Sequence, residues 1–148
     1  MSIVLTNSTI RSEIKRHLSI IGKRLYSKDG KNMFSDVTLS SAEEKDILSQ
    51  YINAAAQDVE SVLHQFISSA TYTTGESAAI TMEIANTRGE TDFDARSKDM
   101  IQSYIVLNSV GEYLSMVHPD IAQKYQRDAQ QRLESLIAYV FYKKPPTT

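Results

Sequence analysis

Residues 41–67 read SAEEKDILSQYINAAAQDVESVLHQFI. Leu48, Ile52, Ala55, Val59, Val62 and Phe66 recur at intervals of four and three. At 3.6 residues per turn that spacing lines up one face of an α-helix. Ser41 with Glu44 fits a capping box, in which the hydroxyl takes one free backbone N–H and the carboxylate takes another. Glu43, Glu44 and Asp46 stand where the helix dipole favours negative charge. Ala54, Ala55 and Ala56 leave room for a neighbouring helix to come close. The stretch predicts a long amphipathic helix from about Ser41 to Ile67, so the chain needs further apolar surfaces to cover it.

Upstream, Ile10, Ile14, Leu18, Ile21 and Leu25 form a second helical stripe. It predicts a helix from about Thr9 to Leu25, with the basic residues outside the stripe. Asn7, Ser8 and Thr9 match a glycosylation sequon, and read here as helix-capping chemistry. Ser27-Lys28-Asp29-Gly30 supplies a turn. Downstream, residues 69–93 change character: they are rich in Thr and contain Gly75 and Gly89. Ile80, Met82 and Ile84 alternate with Thr81 and Glu83, the period of a strand. Thr71-Tyr72-Thr73 is the expected partner across Gly75-Glu76-Ser77. An isolated hairpin is barely stable in water, so it must lie on the helices or on another subunit. Ile80, Met82 and Ile84 are therefore candidate subunit-interface residues.

A third helix is expected from Asp94, as N-cap, to about Val117, with Ile101, Tyr104, Ile105, Val110 and Leu114 as core. Asn108 and Gly111 make its pattern ragged. His118-Pro119 breaks the chain, since proline disfavours helix at the residue before it. Pro119 then suits the first position of a fourth helix, which carries Ile121, Tyr125, Leu133, Leu136, Ile137 and Val140. The whole chain, 1–148, reads as a single, mainly α domain. It is a bundle of about four helices with a β-hairpin or extended arm inserted between helices 2 and 3. Residues 143–148 form an extended, proline-stiffened tail. Adjacent helical positions point about 100° apart, so Tyr139, Val140, Phe141 and Tyr142 cannot all face one core. Phe141, Tyr142, Lys143 and Lys144 are a candidate docking element.

Composition narrows the function classes. The chain has 148 residues, 23% charged and 41% hydrophobic, which places it among globular domains. It has no cysteine, which removes disulfides, thiolate metal sites and cysteine nucleophiles. No stretch approaches the apolar length of a membrane span, and Ile3-Val4-Leu5 is too short for a signal-peptide core. Net charge is −2, but unevenly placed: residues 11–31 carry +5, residues 41–66 carry −4 and residues 76–94 carry −4. That is not the overall basic footprint of a nucleic-acid binder.

The three histidines, His17, His64 and His118, show no metal-ligand spacing. Glu90, Asp92 and Asp94 lack the calcium-loop pattern and read as a solvated loop plus an N-cap. There is no P-loop, dinucleotide glycine pattern or nucleophile elbow. The expectation is a protein with no catalytic residues, no cofactor and no metal. The basic face of the first helix, with Lys15 and Arg16, has three readings. It is a solvated face, a phosphate contact, or a patch that pairs with Glu43 and Glu44 on a neighbouring subunit.

Two stretches together resemble a known family. Ile14-Lys15-Arg16-His17-Leu18 is followed, after a polar loop, by Asp46-Ile47-Leu48-Ser49-Gln50-Tyr51-Ile52-Asn53-Ala54-Ala55-Ala56-Gln57-Asp58-Val59-Glu60. This is similar to the opening of the head–tail connector (adaptor) proteins of long-tailed bacteriophages and prophages. There a short helix with a Lys-x-His-Leu pattern precedes a longer helix with a Leu-x-x-x-Ile-x-x-Ala-Ala pattern. The resemblance spans roughly residues 10–66. It differs in the longer loop YSKDGKNMFSDVTLS, in Ser19-Ile20-Ile21-Gly22 where an acidic run is usual, and in the break at His118-Pro119. The resemblance implies a structural virion protein at the head–tail junction, made in the bacterial cytoplasm. It implies a ring of copies of itself, commonly twelvefold, under the portal protein. Such a ring presents a platform to the next head-completion or tail protein and lets DNA pass non-specifically, with no membrane partner. The alternatives are a nucleic-acid-binding accessory protein and a helical adaptor of bacterial or prophage origin.

Overall fold

The computed structural model describes residues 2–24, 42–72, 79–87, 89, 91–115 and 118–141. Among these lie β1 (Ser2–Thr6), α1 (Asn7–Arg24), α2 (Ala42–Val62), β2 (Ile67–Tyr72), β3 (Ala79–Ile84), α3 (Phe93–Leu114) and α4 (Pro119–Phe141). The fold is mainly helical, with a β-hairpin between α2 and α3, as the apolar spacing predicts. Ser41, the loop before it, the turn at residues 73–78 and the tail from residue 142 lie outside the described residues.

The four-and-three stripes become the core. Ile10, Ile14 and Leu18 of α1 and Leu48, Ile52, Ala55 and Val59 of α2 are all within 1% of full burial. Both helices rest on α3, which also carries α4 and β1. That central position explains why α3 shows no clean stripe. Phe93, Ile101, Tyr104, Ile105, Val106, Val110, Tyr113 and Leu114 are buried on several of its faces at once. Gly111 has a reason in the same packing. A Cβ there would stand 2.8 Å from Gln126 Cγ, 3.3 Å from Gln126 N and 3.4 Å from Ala122 O. The missing side chain, with buried Ala122 and Ala129 on α4, lets the two helix backbones approach closely.

The hairpin is part of a three-stranded antiparallel sheet in the order β1-β3-β2. Residues 2–6 are not read as a strand from sequence, yet they pair along β3 from Ser2 opposite Glu83 to Thr6 opposite Ala79. Alternation then sorts the faces. Ile3, Leu5, Ile80, Met82 and Ile84 point inward at 2% exposure or less, while Val4 is 46% exposed. This corrects the expectation for Ile80, Met82 and Ile84. They fill the subunit's own core and offer a neighbour no side-chain surface.

Two boundaries also differ from expectation. α2 ends at Val62 rather than Ile67. The Phe66 and Ile67 amides both bond to the Leu63 carbonyl, while the Phe66 carbonyl accepts from Ala85 at 2.8 Å. The sheet thus takes the acceptor that a longer helix would need. α3 begins after Asp92 rather than Asp94, and Asp92 makes no side-chain cap. Its carboxylate instead pairs with Arg96 at 2.7 Å. Fully buried Phe93, stacked on Tyr139 at 5.5 Å between ring centroids, anchors the start of the helix.

Candidate functional site

α1 follows β1 without a linker, so its first turns are fixed by the sheet. Its residues divide by what covers them. Lys15 and Arg16 are exposed, as a solvated or contact-making face requires. Arg11 departs from the expected solvated face: it is 7% exposed and donates through Nη2 to Ser49 Oγ on α2. Its Nε is buried with no partner. Among the described residues, the carboxylates form no ion pair with it.

On the side of α1 facing α3 and α4, Glu13 Oε1 accepts from Gln102 Nε2 at 3.0 Å. One turn later, His17 Nδ1 lies 3.2 Å from the Tyr125 hydroxyl, with the rings edge-to-face at 5.6 Å. Burial, and then the neighbouring Arg16 charge, hold the imidazole below its ordinary pKa, while Glu13 works in the opposite direction. Glu13, Arg16, His17, Asp99, Gln102 and Ser103 line a polar groove of about 280 Å³ between α1 and α3. The neutral histidine and the amide-held carboxylate act as polar ties between helices. Among the described residues, no group of three or more His, Cys, Asp or Glu gathers as metal donors.

The acidic side of α2 makes ties of the same kind. Tyr104 of α3 donates to Asp58 Oδ2 at 3.1 Å, and Tyr72 of β2 donates to Glu60. Burial, together with the adjacent carboxylate, pushes both phenols well above their ordinary pKa. They stay protonated at neutral pH and serve as hydrogen-bond donors. Glu43 and Glu44 fall in the first turn of α2, with side chains outside what the structure describes. The pairing expected between Lys15 and Arg16 and these carboxylates of a neighbouring subunit therefore lies outside the described side chains.

The C-terminal end of α4 is pinned by three contacts. Tyr139 stacks on Phe93, Phe141 meets Phe66 edge-on at 4.8 Å, and Thr87 Oγ1 donates to the Val140 carbonyl at 2.6 Å. The last contact satisfies one of the carbonyls that every helix end leaves open. Val140 is fully buried and Phe141 is 39% exposed, so among the described aromatics at this end Phe141 turns outward. Tyr142, Lys143 and Lys144 lie outside the described residues.

The structure therefore brings the outward Lys15 and Arg16 onto one helix and leaves Phe141 on another. Sequence reasoning missed Arg11, Ser49, His17–Tyr125 and the Tyr104–Asp58 and Tyr72–Glu60 pairs. Each depends on which helices meet, which spacing along one helix does not reveal. Among the described residues, no helix is long and apolar enough to cross a membrane. Comparison with protein-family models, curated proteins and solved structures finds no match to this chain.

Proposed function

We propose that the chain is a structural subunit of a bacteriophage or prophage head–tail connector. In this reading it forms a ring under the portal, extends the DNA channel and joins head to tail without catalysis. The observation that carries the reading is the paired motif at residues 14–18 and 46–60. Its apolar positions, Leu18, Leu48, Ile52, Ala55, Ala56 and Val59, are core residues of two helices that both rest on α3. The order helix, helix, hairpin, helix supports it too. A ring needs heterologous interfaces, in which one face of a subunit meets a different face of the next. Segments of +5 and −4, with Lys15 and Arg16 turned outward, suit such a contact.

Electron microscopy of the purified chain, alone and with a portal, tests the reading. Rings, or density added beneath the portal, are expected. Monomers that never join a portal overturn it. A second reading, nucleic-acid binding through α1, draws on the same outward lysine and arginine. Salt-dependent duplex binding by a chain that never forms rings selects it.

A further inference from the structure

A buried guanidinium is costly unless a counter-charge or a full set of acceptors compensates it. Arg11 has neither. It is 7% exposed, it donates through Nη2 to the neutral Ser49 hydroxyl, and its Nε has no partner. Arg11 lines a groove of about 190 Å³ together with Ser8, Ser12 and Lys15. These four residues share one face across the first three turns of α1, and the helix dipole adds positive potential at its Ser8 end. We propose that this groove is a binding site for a phosphate group.

The donors can be assigned. Lys15 is exposed at the rim and supplies a mobile ammonium. The Ser8 hydroxyl, also exposed, supplies a neutral donor. The Ser12 hydroxyl proton is committed to the Ser8 carbonyl at 2.8 Å, so Ser12 shapes the groove rather than donating. Arg11 supplies fixed charge, held in place by Ser49 on α2. A phosphate oxygen set accepts from several donors and carries the negative charge that Arg11 lacks. The site does not depend on the connector reading, because it rests on this chain alone.

The test uses the full chain. Inorganic phosphate is titrated against chloride at matched ionic strength and pH, with binding read by calorimetry and by thermal shift. Saturable binding above the chloride control is expected. Lys15→Gln should weaken it about tenfold and Ser8→Ala about threefold, as loss of a charged and a neutral donor predicts. Both side chains are exposed, so both variants keep the fold even if Arg11→Gln does not. Short duplex DNA is the second probe. Loss of duplex binding in the same variants assigns the phosphate to a nucleic-acid backbone. Phosphate binding without duplex binding assigns it to a free phosphate or monoester. If neither probe exceeds the chloride control, or if Lys15→Gln and Ser8→Ala bind as the parent does, the site is overturned.

Discussion

Replacing Gly111 by alanine sets two known effects against each other. Glycine inside a helix is about 1 kcal/mol worse than alanine, so the change should stabilise an uncrowded helix. At this position the new methyl meets Gln126 Cγ at 2.8 Å, Gln126 N at 3.3 Å and Ala122 O at 3.4 Å. The first atom can move by a change of rotamer. The other two are α4 backbone, and moving them shifts a helix that also seats Leu133, Leu136 and Val140 in the core. Overpacking of this kind costs roughly 1–3 kcal/mol. The crowding therefore wins, and Gly111→Ala is expected to destabilise by about 1 kcal/mol. With a urea m-value of about 2 kcal/mol/M, the midpoint falls by about 0.5 M at unchanged m. Adding Gln126→Ala removes the nearest atom and should recover part of the loss, a coupling read from the double-mutant cycle. A midpoint raised by about 0.5 M in Gly111→Ala, with no coupling to Gln126, would refute the close approach of α3 and α4.

Other variants probe the polar ties and the surface. Tyr104→Phe keeps the buried ring and removes the bond to Asp58, so urea melts should show a loss of about 1–2 kcal/mol; no loss means the pair is not formed. His17 has a folded pKa below its unfolded value of about 6.5, so the unfolded chain takes the proton first as pH falls. Its contribution is complete above about pH 7.5 and declines as pH drops through that value. His17→Gln should therefore lose less stability than the parent between about pH 7.5 and about pH 5, and equal slopes would contradict this. Lys15→Glu with Arg16→Glu should leave the melt within about 0.5 kcal/mol and abolish ring or portal association by electron microscopy; intact rings would remove α1 from the interface. Phe141→Ala loses one edge-to-face pair, costs about 1 kcal/mol and should weaken association further, and association at parental level would show that the outward ring makes no subunit contact.

What the sequence made legible was whatever a single element decides by itself. The stripes of α1, α2 and α4 place their own cores because one face of each is covered. Pro119 marks the start of α4 for a local steric reason. β1 was illegible for the opposite reason. Ile3-Val4-Leu5 is an apolar run of three residues, shorter than a strand signal and without alternation, and its partner, β3, lies far along the chain. The end of α2 hid in the same way, because the apolar spacing runs on through Phe66 while the carbonyl of that residue is taken by Ala85. Asp94 looked like a cap until the burial of Phe93 drew the helix start back.

These gaps altered the functional reading as well. Without β1 the hairpin reads as needing the helices or another subunit for support, which makes Ile80, Met82 and Ile84 candidates for a subunit interface. With β1 at one edge and helices behind, the same side chains are at most 1% exposed and no outside support is needed. Any ring contact must then come from groups that the subunit leaves outside. Among the described residues, such groups include Lys15 and Arg16 on α1, and the outward apolar side chains Val4, Ile20 and Phe141, at 46%, 45% and 39% exposure. Val4 lies on an edge strand, and Ile20 lies one turn beyond Arg16 on α1, so apolar surface beside a basic residue is available without the hairpin. Arg11 is the complementary case: spacing places it outside the apolar stripe of α1, yet it is 7% exposed and tied to Ser49 of α2. A lone arginine on a helix carries no such information until the second helix is placed, which is why the phosphate site follows from the fold and not from the motif.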